Sequence, residues 1–134
     1  MTSNSQNLSF KKDIAATDLE SAITRVSEAL KTEGFGVLTR IDFHTKMKEK
    51  LQKDMKPVVI LGACNPGLAY AAYEKTTDVA GLLPCNAVVT EVATEKYRVE
   101  LTKPSAMMRF LENAELVKLA ESADSALELA LSRI

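Results

Sequence analysis

Hydrophobic and polar positions follow two periods along this chain, and the switches between them outline its elements. Leu8-Ser9-Phe10-Lys11-Lys12-Asp13-Ile14 alternates loosely at a period of two and reads as a first strand. Leu19, Ala22, Ile23, Val26 and Leu30 then recur at helical spacing, with Glu20, Arg25, Glu28 and Lys31 on the opposite face. Thr17-Asp18-Leu19-Glu20 fits a capping box for this helix, with Thr17 as the cap and Glu20 reaching back. Gly34 stops it. Phe35 to Ile41 reads as a second strand. Asp42 suits the N-cap of a helix from Phe43 to about Asp54, with Phe43, Met47 and Leu51 on one side and mostly Lys and Glu elsewhere. Met55-Lys56-Pro57 breaks the chain.

Val58-Val59-Ile60-Leu61-Gly62-Ala63 has no polar residue on either face. Such a run predicts a central strand covered on both faces, or one covered by helices on one face and a partner subunit on the other. Asn65 before Pro66 is a matched pair: proline excludes the α region for Asn65, and an N-cap requires that. The helix from Pro66 to about Thr76 presents Leu68, Ala69, Ala71 and Ala72, a surface of small residues suited to close packing. Asp78 to Pro84 is a connection apolar enough to tuck against the body. Asn86–Ala93 and Tyr97–Thr102 predict a hairpin, with Tyr97, Val99 and Leu101 alternating against Arg98, Glu100 and Thr102 on a wet face. Pro104 opens a short helical stretch holding Ala106, Met107, Phe110 and Leu111. Asn113 caps a last helix with the stripe Leu116, Ala120, Ala123, Leu127, Ala130 and Ile134. The hairpin demands antiparallel pairing, so the fold class is α+β: a mainly antiparallel sheet of about five strands with helices packed on one face.

Composition narrows the partners. The 134 residues fit one α+β domain over 8–134, behind a polar N-terminus, residues 1–7, expected to be disordered or weakly ordered. A net charge of −1 and 5% aromatic residues without tryptophan argue against nucleic acid. No apolar run approaches the ~20 residues that span a membrane, and the N-terminus lacks the pattern of a signal peptide. Two cysteines do not make a secreted disulfide framework. The expectation is a cytoplasmic protein with reduced thiols.

The candidate chemistry lies in two turns, Cys64-Asn65-Pro66 and Pro84-Cys85-Asn86. Cys64 stands at the mouth of the Pro66 helix, where free N–H groups and the helix dipole favour a thiolate. Equally, Cys64 suits a small buried hydrophobe at the end of a core strand. Asn65 has a structural reason as a cap, and Asn86 has a similar one in a turn after Pro84. If the strand from Asn86 starts where the Pro66 helix ends, it runs parallel to the Val58 strand and Cys85 lies a strand length from Cys64; if the chain from Thr77 to Pro84 instead returns extended, Cys85 comes back beside Cys64 and its strand runs antiparallel. The one histidine, His44, reads as an exposed or capping residue. With two cysteines far apart in sequence, no metal site is predicted. Phosphate loops and nucleophile elbows are absent from the sequence.

Gly62-Ala63-Cys64-Asn65-Pro66 with Leu68-Ala69, then Leu82-Leu83-Pro84-Cys85-Asn86 leading into Val88-Val89, resembles the bacterial and archaeal domain-of-unknown-function 302 family. Gly34-Phe35-Gly36-Val37-Leu38-Thr39 and the Lys46–Leu51 helix are similar to that family's opening half. The resemblance spans about residues 8–132 and implies a small α+β domain that forms a homodimer, with no activity or cofactor attached. The expected function is ligand binding or redox sensing through Cys64, Asn65, Pro66, Pro84, Cys85 and Asn86. The alternatives are an enzyme using Cys64 as a thiolate nucleophile and an interaction module whose cysteines are structural.

Overall fold

The structure is a computed structural model that describes residues 8–134. The expectation for residues 1–7 lies outside the described residues. Five strands, β1 (Ser9–Ala15), β2 (Gly36–Asp42), β3 (Val58–Cys64), β4 (Cys85–Ala93) and β5 (Lys96–Thr102), form one sheet in the order β1-β5-β4-β3-β2. Every neighbouring pair is antiparallel. Helices α1 (Leu19–Thr32), α2 (Phe43–Leu51), α3 (Pro66–Lys75), α4 (Pro104–Met108) and α5 (Ala114–Ser132) connect and cover it. The expected α+β fold is therefore the observed one. β1 and β2 occupy opposite edges and run parallel, so the chain needs α1 to cross the sheet between them.

The core follows the two periodicities. Ala22, Ile23, Val26, Ala29 and Leu30 of α1 are buried, as are Leu116, Ala120, Ala123, Leu127 and Ala130 of α5. Facing them, Val59, Leu61 and Ala63 of β3, Ala87 and Val89 of β4, and Tyr97, Val99 and Leu101 of β5 are also buried. This strict alternation puts one face of the sheet under α1 and α5. A second, smaller cluster forms beyond the sheet's end from Ala72, Val79, Met108, Leu116 and Ala120, with Leu82, Leu83, Leu111 and Leu119 around it.

Among the described residues, no helix packs across the opposite face of the sheet. Lys11–Glu100 and Asp13–Arg98 ion pairs dress its β1/β5 half. Its β2/β3/β4 half is apolar, and one cross-strand row reads Ile41, Ile60, Val88, Glu100, Lys11. The apolar run of β3 is thus covered on one face only among the described residues: β3 lies next to the edge strand β2, and no described helix lies beyond it.

Several local expectations shift. Asp18, not Thr17, caps α1: its carboxylate accepts the Ser21 N–H at 2.8 Å. Glu20 is drawn instead into a bidentate pair with Arg40. Helix α1 closes with a Schellman motif, in which Phe35 N–H reaches Leu30 O, Gly34 N–H reaches Lys31 O, and Gly34 takes φ +82°. Asp42 stands at the N-cap of α2 without capping it, because its carboxylate binds Arg40 at 2.7 Å. That helix ends at Leu51, three residues short of Asp54, where Gln52 turns left-handed at φ 56°. Its Phe43 and Leu51 stay exposed. In the stretch after Pro104 the inward residues are Pro104 and Met108, while Phe110 is 78% exposed.

Candidate functional site

The site is built where β3 ends. Asn65 caps α3 as expected, its Oδ1 accepting the Leu68 N–H at 3.1 Å with Pro66 at the first helical turn. The other end of the same amide donates from Nδ2 to Glu33 O at 3.2 Å. Asn65 therefore ties the start of α3 to the end of α1. Gly34 makes room for this, since a Cβ there would lie 2.9 Å from Asn65 Nδ2.

Helix α3 carries the chain away from the end of β3, and Thr77–Leu82 brings it back. The return is a 3-10 helix rather than an extended segment. Thr76 Oγ1 caps its first turn at Asp78 N–H, and Val79 anchors it in the second core cluster. At a rise of about 2 Å per residue, six residues recover most of the ~15 Å that α3 travelled. Leu83 and Pro84 complete the return, and β4 opens with Cys85 directly opposite Ala63.

Cys85 thus comes back beside Cys64, and both thiols are free. Direct cross-strand partners lie about 5 Å apart and one residue adds ~3.4 Å along the strand, which puts the two cysteine Cα atoms about 6 Å apart. The Cys85 thiol is pushed up to about 11, first by burial, then by the neighbouring Cys64 and by Asp124. Asp124 reaches across from α5, where its carboxylate accepts the Ser105 N–H at 3.1 Å and the Ser105 hydroxyl at the head of α4.

Two hollows meet at Cys85. One is a cavity of about 40 Å³ at the seam between the two core clusters. Phe35, Cys64, Leu68, Cys85, Met108 and Leu116 are among its walls, and the alanines at 69, 72, 120 and 123 leave the space. The other is an outer groove of about 260 Å³ between Gly81–Asn86, Thr102 and α4, with Met107 and Met108 on its far side. Cys64 and Asn65 border the cavity, Pro84 and Asn86 border the groove, and Cys85 borders both. Pro66 borders neither; it is exposed at the first turn of α3. Asn86 is not a turn cap but a strand residue, paired with Gly62 on the uncovered face.

Gly62 is the residue that admits the second turn. A Cβ on it would stand 2.7 Å from Pro84 Cγ and would also strike Thr39 Oγ1. Met108, Asp124 and the alanines of α5 were not legible as site residues. Ala69 and Ala72 of α3 and Ala120 and Ala123 of α5 did show as small residues on their helix faces, and they are the trace of the cavity in the sequence.

His44 lies elsewhere. Its Nδ1 sits 3.0 Å from Val58 N and 3.1 Å from Val58 O, pinning α2 to the start of β3, so it is half-buried rather than a free surface side chain. The six-residue rise of β3 separates it from Cys64 by ~20 Å. Among the described residues, no group of three or more His, Cys, Asp or Glu side chains could hold a metal ion.

The model of the DUF302 family, a domain of unknown function, matches residues 10–134. This chain belongs to that family. It is also similar to the crystal structure of an uncharacterised conserved DUF302 protein from Bacillus stearothermophilus, at 29% identity and a TM-score of 0.81 over 92% of this chain and 97% of that one. No curated protein matches the chain. Membership in DUF302 assigns the chain no reaction. Among the described residues, no helix of this DUF302 protein is long and apolar enough to cross a membrane.

Proposed function

We propose that this DUF302 domain binds a small ligand at the Cys64/Cys85 end of its sheet. The observation that carries this reading is convergence: two turns twenty residues apart meet at one end of the sheet, and both hollows open there. The groove is slightly smaller than the ~300 Å³ at which pockets for drug-sized molecules begin, so the ligand is small. Pro84, Cys85 and Asn86 border that groove and Cys64 and Asn65 the adjoining cavity, with Pro66 and Asn65 positioning Cys64 through the helix start. The raised pKa of Cys85 favours holding a ligand over redox sensing, because a protonated thiol is a slow nucleophile. The nucleophilic-enzyme alternative finds no histidine base within reach of Cys64. Two cysteines that are both free suit a reducing cytoplasm. A small-fragment screen read by amide NMR shifts tests the proposal. Perturbations should cluster at Gly81, Asn86, Thr102 and Met107; fragments that bind only elsewhere refute it.

We also propose that two copies of the domain associate through β2 and the apolar half of the uncovered face. Leu38 is 66% exposed and Ile41 47% on the unpaired edge strand β2, and Leu51 of α2 is 58% exposed. Sedimentation should give a dimer at tens of micromolar that Leu38→Glu with Ile41→Glu converts to monomer. A wild-type monomer at that concentration ends this reading.

A further inference from the structure

We infer that the ligand of the Cys64/Cys85 end is a short neutral amphiphile, with a small alkyl chain in the alanine-walled cavity and an uncharged hydrogen-bonding head in the outer groove. This rests on the reading of that end as a binding site and goes beyond it in naming the ligand class. The two hollows differ in character. Alkyl, aromatic and sulfur side chains wall the cavity apart from Asn65, whose amide is already engaged by Leu68 N–H and Glu33 O. At about 40 Å³ it takes about three water-sized groups, the bulk of a short alkyl chain. The groove of about 260 Å³ is polar on one side, where Asn86 and Thr102 border it. Continuing the β4–β5 register one step past Ala87–Leu101 sets these two residues opposite each other. Asn86 is exposed and Thr102 half-buried, and a carboxamide beside a hydroxyl offers both donors and acceptors.

The hollows are neighbours. Leu83, Cys85, Pro104 and Met108 line both, so one layer of side chains divides them. Met108 is the pliable member of that layer, unbranched with three rotatable bonds, and its rotation admits the chain. Charge sets the head. Among the described residues, no Lys, Arg or His lines either hollow, so a phosphate or carboxylate would be desolvated without a counter-charge. Lys103, between Thr102 and Pro104, holds its ammonium over the Phe10 ring at 4.8 Å. Asp124 follows Ala123 of the cavity wall, but its carboxylate is taken by the Ser105 N–H and hydroxyl. An anionic head therefore meets a like charge, and a cationic head finds no free partner.

The test titrates the full chain with 1-alkanols from ethanol to 1-hexanol, followed by amide and methyl NMR shifts. Affinity should rise about fourfold per methylene and level off after about four carbons, as the cavity fills. The n-alkanoate of each length should bind at least about tenfold more weakly. Shifts should join Asn86 and Thr102 in the groove to Leu68 and Leu116 in the cavity. Ala69→Leu, at a half-buried position of α3, fills the cavity and should abolish the rise with chain length while the groove shifts persist. Ala120→Leu is the second filling variant, and circular dichroism checks the fold of each. Should both unfold, the levelling-off and the alkanoate comparison in the wild type still decide. A rise that continues through 1-hexanol, one that survives in a folded filled variant, or alkanoates that bind as tightly as alkanols each overturn the inference. If alkanols fail to bind while screened fragments still shift Asn86, Thr102 and Met107, the amphiphile assignment falls and the ligand-binding reading stands; if neither shifts the groove, both fall.

Discussion

Replacing Asn65 separates a structural residue from a ligand contact within the same motif. Its Oδ1 accepts the Leu68 N–H at 3.1 Å, and its Nδ2 donates to Glu33 O at 3.2 Å. Asn65→Ala removes both bonds. Losing an N-cap costs about 1 kcal/mol, and losing a neutral hydrogen bond costs about 0.5–1.5 kcal/mol. The sum is about 2 kcal/mol, or roughly 6–10 °C in Tm for a chain of this size. Asn65→Asp divides the two parts. The carboxylate still caps α3, and the helix dipole favours it by about 0.3–1 kcal/mol. It has no donor for Glu33 O, however, and sets a negative oxygen against that carbonyl. The expected loss is about 1 kcal/mol, between wild type and Asn65→Ala. Urea unfolding with an unchanged m-value measures both differences. An Asn65→Ala variant within about 0.5 kcal/mol of wild type would refute the two-ended tether, and Asn65 would then be retained for something other than folding.

Gly62→Ala should destabilise by about 1–3 kcal/mol through overpacking against Pro84. Adding Thr39→Ala should not rescue it, because the threonine can rotate away and the proline ring cannot; recovery in the double variant would show that Thr39 was the obstacle. For Cys85, a folded pKa of about 11 lies above the usual value of 9.0, so its protonated form is the one the fold favours. Its contribution of about 2–3 kcal/mol is fully present below pH 9 and is lost as pH rises toward 11; a Cys85→Ala variant should lack this alkaline loss in urea titrations. Alkylation of Cys85 in the native protein should likewise be slow at pH 7 and accelerate toward pH 11, and rapid labelling at pH 7 would contradict its burial. Arg40→Ala should cost less than about 1 kcal/mol despite two carboxylate partners, because Glu20 and Asp42 stay solvated around it, and the loss should shrink in high salt.

Local periodicity was enough to place all five strands and the long helices α1 and α5, because each buries one face and the pattern of that face is written in consecutive residues. Caps were legible where the side chain had no competitor, as at Asn65 and Asn113. They were misread where a distant charge intervened: Arg40 lies twenty residues from Glu20, and it took both Glu20 and Asp42 from the helix ends they flank. The stripe of α2 misled for a different reason. Phe43, Met47 and Leu51 are spaced for a core, but α2 follows the edge strand β2, and the described residues leave Phe43 and Leu51 exposed.

By itself, the sequence determined an α+β class, the helix start at Asn65-Pro66 and the two cysteine turns as the place to look. All of these depend on side chains within a few residues of one another. Only the tertiary structure decided that the turns meet. A parallel and an antiparallel β4 use the same local residues, and the choice rests on Thr77–Leu82 winding back as a 3-10 helix anchored by Val79 in the second core cluster. The same long-range packing set Met108 and Asp124, remote in sequence, around Cys85, and left a small hollow where alanines of two helices face each other. Spacing along the chain cannot encode a void between elements, since a cavity is the space that packing fails to fill.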